Sequence, residues 1–411
     1  MRVLIDYRPA LRERSGAGEY THQLVTALLA LSRAGTPDHP LDLTLFSSSW
    51  KDRIVVTPDL AGATVVDRRV PVRLLNLAWH RLGWPSAERL TGRAFDVTHS
   101  SHPLLLPARH AAQIVTIHDL NFLTHPERTR AEIRRDYPAL ARAHALRADR
   151  ILVPSDFTAG EVERLLGVPR DRLSVCPPGA PSWAPRAAGP NDGYVLFFGT
   201  LEPRKNIGGL LDAYERLLRG PAACSEARRG EAGHDRNAEA GHDRRDAGLD
   251  RGETRRRVPE LVLAGKATED ARVWLDRLER PPLKGIVRHV GYVDPDRRRA
   301  LYEGARLLVM PSFEEGFGLP VLEAMSLGVP VVAANRGSLP EVLGDAGPLV
   351  DPEQPEALAR AIARLLSDDT YAAACAARGI ARARQFDWAV TARRVYDTYL
   401  QAIEHRRCAS A

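Results

Sequence analysis

Cysteine is scarce in this chain. Cys176, Cys224, Cys375 and Cys408 are the four in 411 residues, and no two form a C-x-x-C pair, which argues against a zinc site, a disulfide framework or dithiol redox chemistry. Long hydrophobic runs are missing too. The start, M-R-V-L-I-D-Y-R, has only Val3, Leu4 and Ile5 between Arg2 and Asp6, so neither a secretory signal nor a spanning segment is expected and the expected location is the cytoplasm. Lysine is nearly absent, with Lys51, Lys205, Lys266 and Lys284 against 58 Lys+Arg. Arginine is the default cation, so a lysine placed at a helix start is informative, because a compact ammonium reaches what a planar guanidinium does not. The net charge of +6 suits phosphorylated ligands or an anionic membrane surface. No basic run is interleaved with aromatics, so nucleic acid is not an expected partner.

What is present centres on residues 309 to 332, V-M-P-S-F-E-E-G-F-G-L-P-V-L-E-A-M-S-L-G-V-P-V-V. The apolar Leu307, Leu308 and Val309 lead into Gly316 and Gly318, and Val329, Val331 and Val332 follow Gly328, which predicts strand, glycine turn, helix and strand. Pro320 is suited to open that helix. The N–H groups of Gly318, Leu319 and Val321 would then face an anion such as a diphosphate. Glu315 and Glu323 bracket the turn. Acidic side chains suit hydroxyls rather than phosphates, so the pair asks for a diphosphate flanked by polyols, as in a nucleotide sugar. Either glutamate alone would read as a first-turn charge or a solvated loop residue.

Along the chain, strands are expected at Arg2–Ile5, Leu41–Phe46, Ala63–Val66, Val97–His99, Ile114–Ile117, Ile151–Val153 and Leu173–Val175. Their alternation with helical segments predicts a parallel sheet covered on both faces. Gly16 and Gly18, after the first strand, offer a second phosphate cradle or a plain tight turn. The segment 71–85 carries Leu74, Leu75, Leu77, Trp79, Leu82 and Trp84 beside Arg73, His80 and Arg81, and reads as either a membrane-facing or acceptor-facing helix or a core helix. Arginines from Arg128 to Arg150 add a basic face to the next helical region. The proline- and glycine-rich residues 176–193 form a linker. A second alternation follows, with strands at Tyr194–Phe198, Glu260–Ala264, Val287–Val290, Leu307–Met310, Val329–Ala333 and Pro348–Val350, and helices at 207–218, 356–366, 370–385 and 388–404. The expected domains are 1–185 and 190–385. Residues 220–257 repeat E-A-G-H-D-R at 231 and 239 and lack large apolar side chains, so a disordered insertion is expected.

Lys205, in E-P-R-K-N at a strand-to-helix turn, could meet the same diphosphate; Arg204 could join it or pair with Glu202. His118, in T-I-H-D-L after a strand, is placed where open parallel sheets hold ligands. It reads as a hydrogen-bond donor or backbone-orienting group beside a sugar, or as a structural histidine paired to Asp119. Asp294 and Asp296 form a D-P-D that could suggest a metal. Pro295 makes Asp294 a better helix N-cap, so no metal is expected.

These motifs resemble those of glycosyltransferase family 4, the retaining transferases of the GT-B architecture. The resemblance spans nearly the whole chain outside 220–257. It rests on P-S-F-E-E-G-F-G-L-P-V-L-E-A-M, Y-V-L-F-F-G-T-L-E-P-R-K-N, A-G-K and N-R-G-S-L-P-E-V, with T-I-H-D-L, V-P-S-D-F-T and V-C-P-P-G-A in the first half. It implies an α/β fold of two Rossmann-like domains facing across a cleft, with the C-terminal helix at 386–404 returning onto the first domain. It further implies that Glu315 contacts the transferred sugar, Glu323 the ribose, Lys205 the diphosphate and His118 the sugar from the first domain. Gly316, Phe317, Gly318 and Leu319, with the Gly16 and Gly18 loop, would close on donor and acceptor. Many members carry arginine where this chain has Thr200, and Arg204 is the candidate replacement. The P-R-K-N and S-L-P-E-V variants look most like mannosyltransferases using GDP-mannose, with a glycan or lipid-linked acceptor. Alternatives are a UDP- or TDP-sugar donor, a sugar-nucleotide epimerase, or a non-enzymatic protein docking on anionic surfaces.

Overall fold

The computed structural model describes residues 1–11, 14, 16–35, 39–126, 131–190, 192–220 and 258–410. Nearly all of the repeat at 220–257 lies outside them, as do Arg128, Arg130 and Cys224.

Two all-parallel sheets carry the fold. The first runs β3-β2-β1-β4-β5-β6-β7, from β1 (Arg2–Asp6), β2 (Asp42–Ser47), β3 (Thr64–Asp67), β4 (Val97–Ser100), β5 (Ala112–Thr116), β6 (Arg150–Val153) and β7 (Leu173–Val175). The second runs β10-β9-β8-β11-β12-β13, from β8 (Tyr194–Phe198), β9 (Leu261–Ala264), β10 (Val287–Gly291), β11 (Ala305–Met310), β12 (Val331–Ala334) and β13 (Leu349–Val350). Their central strands carry continuous apolar runs, V-L-I in β1 and L-L-V-M in β11, because helices cover both faces. In each sheet the strand order reverses once, beside β1 and beside β8, and crevices outside the carboxyl ends of such strands are where ligands bind. The functional turns follow those ends: Gly16 after β1, His118 after β5, Lys205 after β8 and Glu315 after β11.

The last helix, Trp388–Ser410, leaves the second domain and completes the first. Its Ala392, Val395, Tyr396, Tyr399 and Ala402 pack into the same core as Val3, Ile5 and Leu24. The fully buried His99 of β4 shares a hydrogen bond with Tyr399 Oη at 2.8 Å. Where the chain crosses back, a Cβ on Gly179 of the linker would come within 2.2 Å of the Trp388 nitrogen, so that position takes only glycine.

The helix Val72–Leu82 has one face in the core, as the core reading expects, and a second apolar face turned outward. Leu75 and Trp79 are buried with Leu4 and Phe46, while Leu74, Leu77 and Leu82 face outward with Trp84 beyond. No helix among the described residues is long and apolar enough to cross a membrane.

Candidate active site

A cavity of about 410 Å³ lies between the domains. Gly16, Ala17, Tyr20 and His118 line it from the first domain, and Arg204, Lys205, Glu315, the turn Gly316–Leu319 and Glu323 from the second. Gly18 is the exception among the expected residues, buried within the first turn of the helix Ala17–Arg33 and outside the cavity lining.

The helix Leu319–Ser326 starts on Gly318, whose φ of 102° lies in the left-handed region, and no side chain caps it. Among the described residues the amides of Gly318 and Leu319 have no partner. Val321, however, donates to Gly318 O at 2.9 Å. Its N–H is therefore spent inside the turn and is no anion ligand, contrary to expectation, because the chain tightens there as helices often do at their ends.

Lys205 ends a single 3-10 turn, Pro203–Lys205. Asn206 then adopts φ 54° and caps the helix Ile207–Arg219 by accepting from Gly209 N at 3.1 Å. That turn aims Lys205 Nζ at Glu315 Oε1, with which it pairs. Arg204 pairs with Glu202, one of the two readings given for it: Nε donates to Glu202 Oε1 at 2.6 Å, and Nη1 also donates to Glu315 Oε2 at 3.3 Å. Ser312 Oγ donates to Glu315 Oε1 at 2.7 Å. Burial pushes the Glu315 carboxyl up, but Lys205 and Arg204 outweigh it and hold the group ionised below its usual range. Burial and the neighbouring Arg204 pull the Lys205 ammonium down while Glu315 pulls it back. The backbone of Glu315 is pinned from behind, where Ser338 donates to its carbonyl through N at 3.1 Å and Oγ at 2.9 Å. This gives N-R-G-S-L-P-E-V a physical task that its composition did not disclose.

Glu323 is buried; its Oε2 accepts from Tyr302 Oη at 2.8 Å and its Oε1 pairs with Arg298 at 3.2 Å. Burial raises its carboxyl against the pull of both partners. Arg298 and Tyr302 were not anticipated, though their i, i+4 spacing on the helix Pro295–Glu303 places them on one face. Asp294 is that helix's N-cap residue, with Pro295 first. Among the described residues no cluster could hold a metal ion.

His118 stacks edge-on against Tyr20 at 4.9 Å, and its Nε2 meets Ser101 O at 3.2 Å. Burial lowers its pKa to about 4. A neutral ring whose Nε2–H donates to a carbonyl offers only Nδ1 to the cavity, as an acceptor. The donor role expected for it is thereby corrected. Asp119 accepts from Asn121 N at 3.3 Å, and no bond joins it to His118. Burial lowers His99 further, to about 3. Both rings have a reference value of 6.5, so between about pH 6.5 and 4 the unfolded chain takes up protons that the folded chain refuses. Stability is fully present above that window and is lost as pH falls through it. The midpoint of thermal unfolding should be level above pH 7 and decline steadily below 6.5; a midpoint constant to pH 4.5 would contradict neutral burial.

Two facing nucleotide-binding-type domains with a glycine turn, a buried glutamate pair and a cation cluster in the cleft define a glycosyltransferase of the GT-B fold. Comparison with known proteins agrees. Residues 14–182 match "Glycosyltransferase Family 4" and residues 192–368 match "Glycosyl transferases group 1". The chain is 32% identical over 410 residues to O-antigen chain mannosyltransferase B of Escherichia coli, covering 94% of this chain and 96% of that one. Similar solved structures include a sucrose-phosphate synthase from Thermosynechococcus elongatus (TM-score 0.71, 20% identity, 97% and 98% of the two chains). Another is Anabaena HepE in complex with UDP-glucose (TM-score 0.65, 16% identity, 97% and 99%). The chain belongs to the family 4 glycosyltransferases and is an enzyme of that class. Membership excludes the non-enzymatic docking alternative.

Proposed function

We propose that the protein transfers mannose from GDP-mannose, with retention, onto a glycan or lipid-linked glycan acceptor in polysaccharide biosynthesis. The observation carrying the donor reading is the cluster of Lys205, Arg204 and Glu315 beside the uncapped turn Gly316–Leu319, with Glu323 eight positions on. The amides and cations take the diphosphate, Glu323 the ribose and Glu315 the sugar hydroxyls. Mannose as the transferred sugar rests on the likeness to the Escherichia coli mannosyltransferase.

As the anomeric bond breaks, charge builds on the departing diphosphate, where preorganised donors stabilise it most. Arg204 supplies the cation that Thr200 cannot. Glu315, engaged by Lys205, Arg204 and Ser312, is a poor nucleophile, so its role is to orient the sugar rather than to attack it. His118 Nδ1 accepts from a sugar hydroxyl. Expected on calorimetric titration in EDTA is selective GDP binding, weakened about tenfold or more by Glu323→Ala, since a charge-assisted hydrogen bond contributes ~1.5–3 kcal/mol. Selective UDP or TDP binding would overturn the donor and leave the transferase.

Peripheral contact with an anionic membrane fits the first domain. Eight of the eleven exposed large hydrophobic residues among those described lie between Trp50 and Trp84. Lys51, Arg81 and Arg89 are exposed in the same stretch of chain, Arg89 over the Trp84 ring at 5.5 Å. Sedimentation with anionic vesicles, reduced by Leu77→Glu and by salt, is the expected outcome; equal pelleting with neutral vesicles would count against it.

A further inference from the structure

Arg298 is divided between carboxylates of different domains. It reaches Glu19 Oε1 at 2.9 Å through Nη2 and Glu323 Oε1 at 3.2 Å through Nη1. Glu19 sits in the first turn of the helix that follows Gly16, while Glu323 lies in the helix that follows the Gly316–Gly318 turn. All three residues are more than nine-tenths buried. Gln23 Nε2 donates to the same Glu19 oxygen at 2.9 Å. Two atoms of the group remain buried and unpartnered, Glu19 Oε2 and Arg298 Nε, and Arg298 lines the cavity.

A guanidinium facing a single carboxylate tends to close on it as a two-pronged fork. Here the fork is split, and Arg298 touches one oxygen of Glu323 at the longer of its two distances. The remaining lone pairs of Glu323 stay open. We propose that Glu19, although it belongs to the first domain, is a positioning residue of the donor site: it draws Arg298 off Glu323 and so leaves that carboxylate free to accept the two ribose hydroxyls. When the domains part, Glu19 withdraws and Arg298 turns both amino groups onto Glu323, covering the edge that ribose needs. Ribose recognition and domain closure are then linked, each favouring the other by the same factor. This inference rests on the nucleotide-sugar reading above. A plain clamp between domains would use the same ion pair, but it would weaken every ligand of the closed state alike.

The test is calorimetric titration of the full chain with GDP and UDP and with their 2′,3′-dideoxy counterparts, on wild type, Glu19→Gln, Arg298→Gln and the double variant. Wild type should prefer the ribonucleotide. Glu19→Gln should cut that preference about tenfold, the size of one charge-assisted hydrogen bond, with the dideoxy affinity unchanged. In the Arg298→Gln background the Glu19 substitution should do nothing further. Should Glu19→Gln not fold, Glu19→Asp serves, because its shorter side chain draws the carboxylate back from Arg298 and releases the guanidinium toward Glu323, and it too should lower the preference. Equal weakening of both nucleotide forms, or an unchanged preference, would overturn the proposal and leave the donor site standing. Wild-type binding indifferent to the ribose hydroxyls would overturn it as well. Wild type binding none of the four would sink the nucleotide-sugar reading itself, and this inference with it.

Discussion

Lys205→Ala is expected to lower kcat about 10²–10³-fold, equivalent to ~2.7–4 kcal/mol of transition-state stabilisation, the loss found when one preorganised donor is taken from a developing anion. Lys205 is 6% exposed and lines the same cavity as the turn Gly316–Leu319, so water cannot take its place cheaply. The substitution has a second consequence. Glu315 keeps Arg204 at 3.3 Å and Ser312 at 2.7 Å, so the carboxylate is not stranded and the fold should survive. Steady-state kinetics at saturating donor, beside a thermal melt, checks both halves. A kcat within threefold of wild type would remove Lys205 from the catalytic apparatus, and a collapsed melt would show that its contribution is structural.

Gly316→Ala should cost about 10²-fold in kcat/KM, by displacing the domains rather than by deleting a contact. A Cβ at that position would come within 1.7 Å of His118 O and 3.1 Å of Asp119 Cβ. Neither is the soft end of a flexible side chain. The Gly316 carbonyl is also held by the first domain, accepting from Ser155 Oγ at 2.7 Å and Thr158 Oγ1 at 3.1 Å. The extra methyl must push the domains apart at the cavity between them. Each domain's own core is untouched, so the melting temperature should hold, and nucleotide titration should change far less than turnover. An alanine variant with wild-type kcat/KM would show that the closed approach is not the working one.

Much of the site could be read in the chain because it is local. Glu315, Gly316, Gly318 and Glu323 sit on one strand–turn–helix, and Lys205 on another that follows a neighbouring strand, so each group is placed by its own short segment and all of them line one cavity. Arg298 shows where that kind of reading stops. Three arginines run from Arg297 to Arg299, and two of them have an i, i+4 partner. Arg299 with Glu303 forms a solvated pair at 2.7 Å, while Arg298 with Tyr302 faces Glu323. Spacing is the same in both, and only the phase of the helix against the sheet separates them. Glu19 lies 279 positions from Arg298 in sequence, so their meeting is a property of how the domains face each other. The spent N–H of Val321 and the acceptor-only face of His118 were hidden for a smaller reason: each turns on one hydrogen bond that residue types do not specify.

The returning helix Trp388–Ser410 imposes an order on synthesis. Until it emerges, the first domain lacks Val395, Tyr396 and Tyr399 from its core, and the buried His99 lacks its phenolic partner. Folding of that domain cannot finish as soon as its own strands have left the ribosome, although domains made first generally fold first. The first domain must wait, partly exposed, for a helix translated after the whole second domain. A nascent protein stalled before Trp388 therefore carries an unfinished first domain beside a second domain whose own core contains nothing from the returning helix.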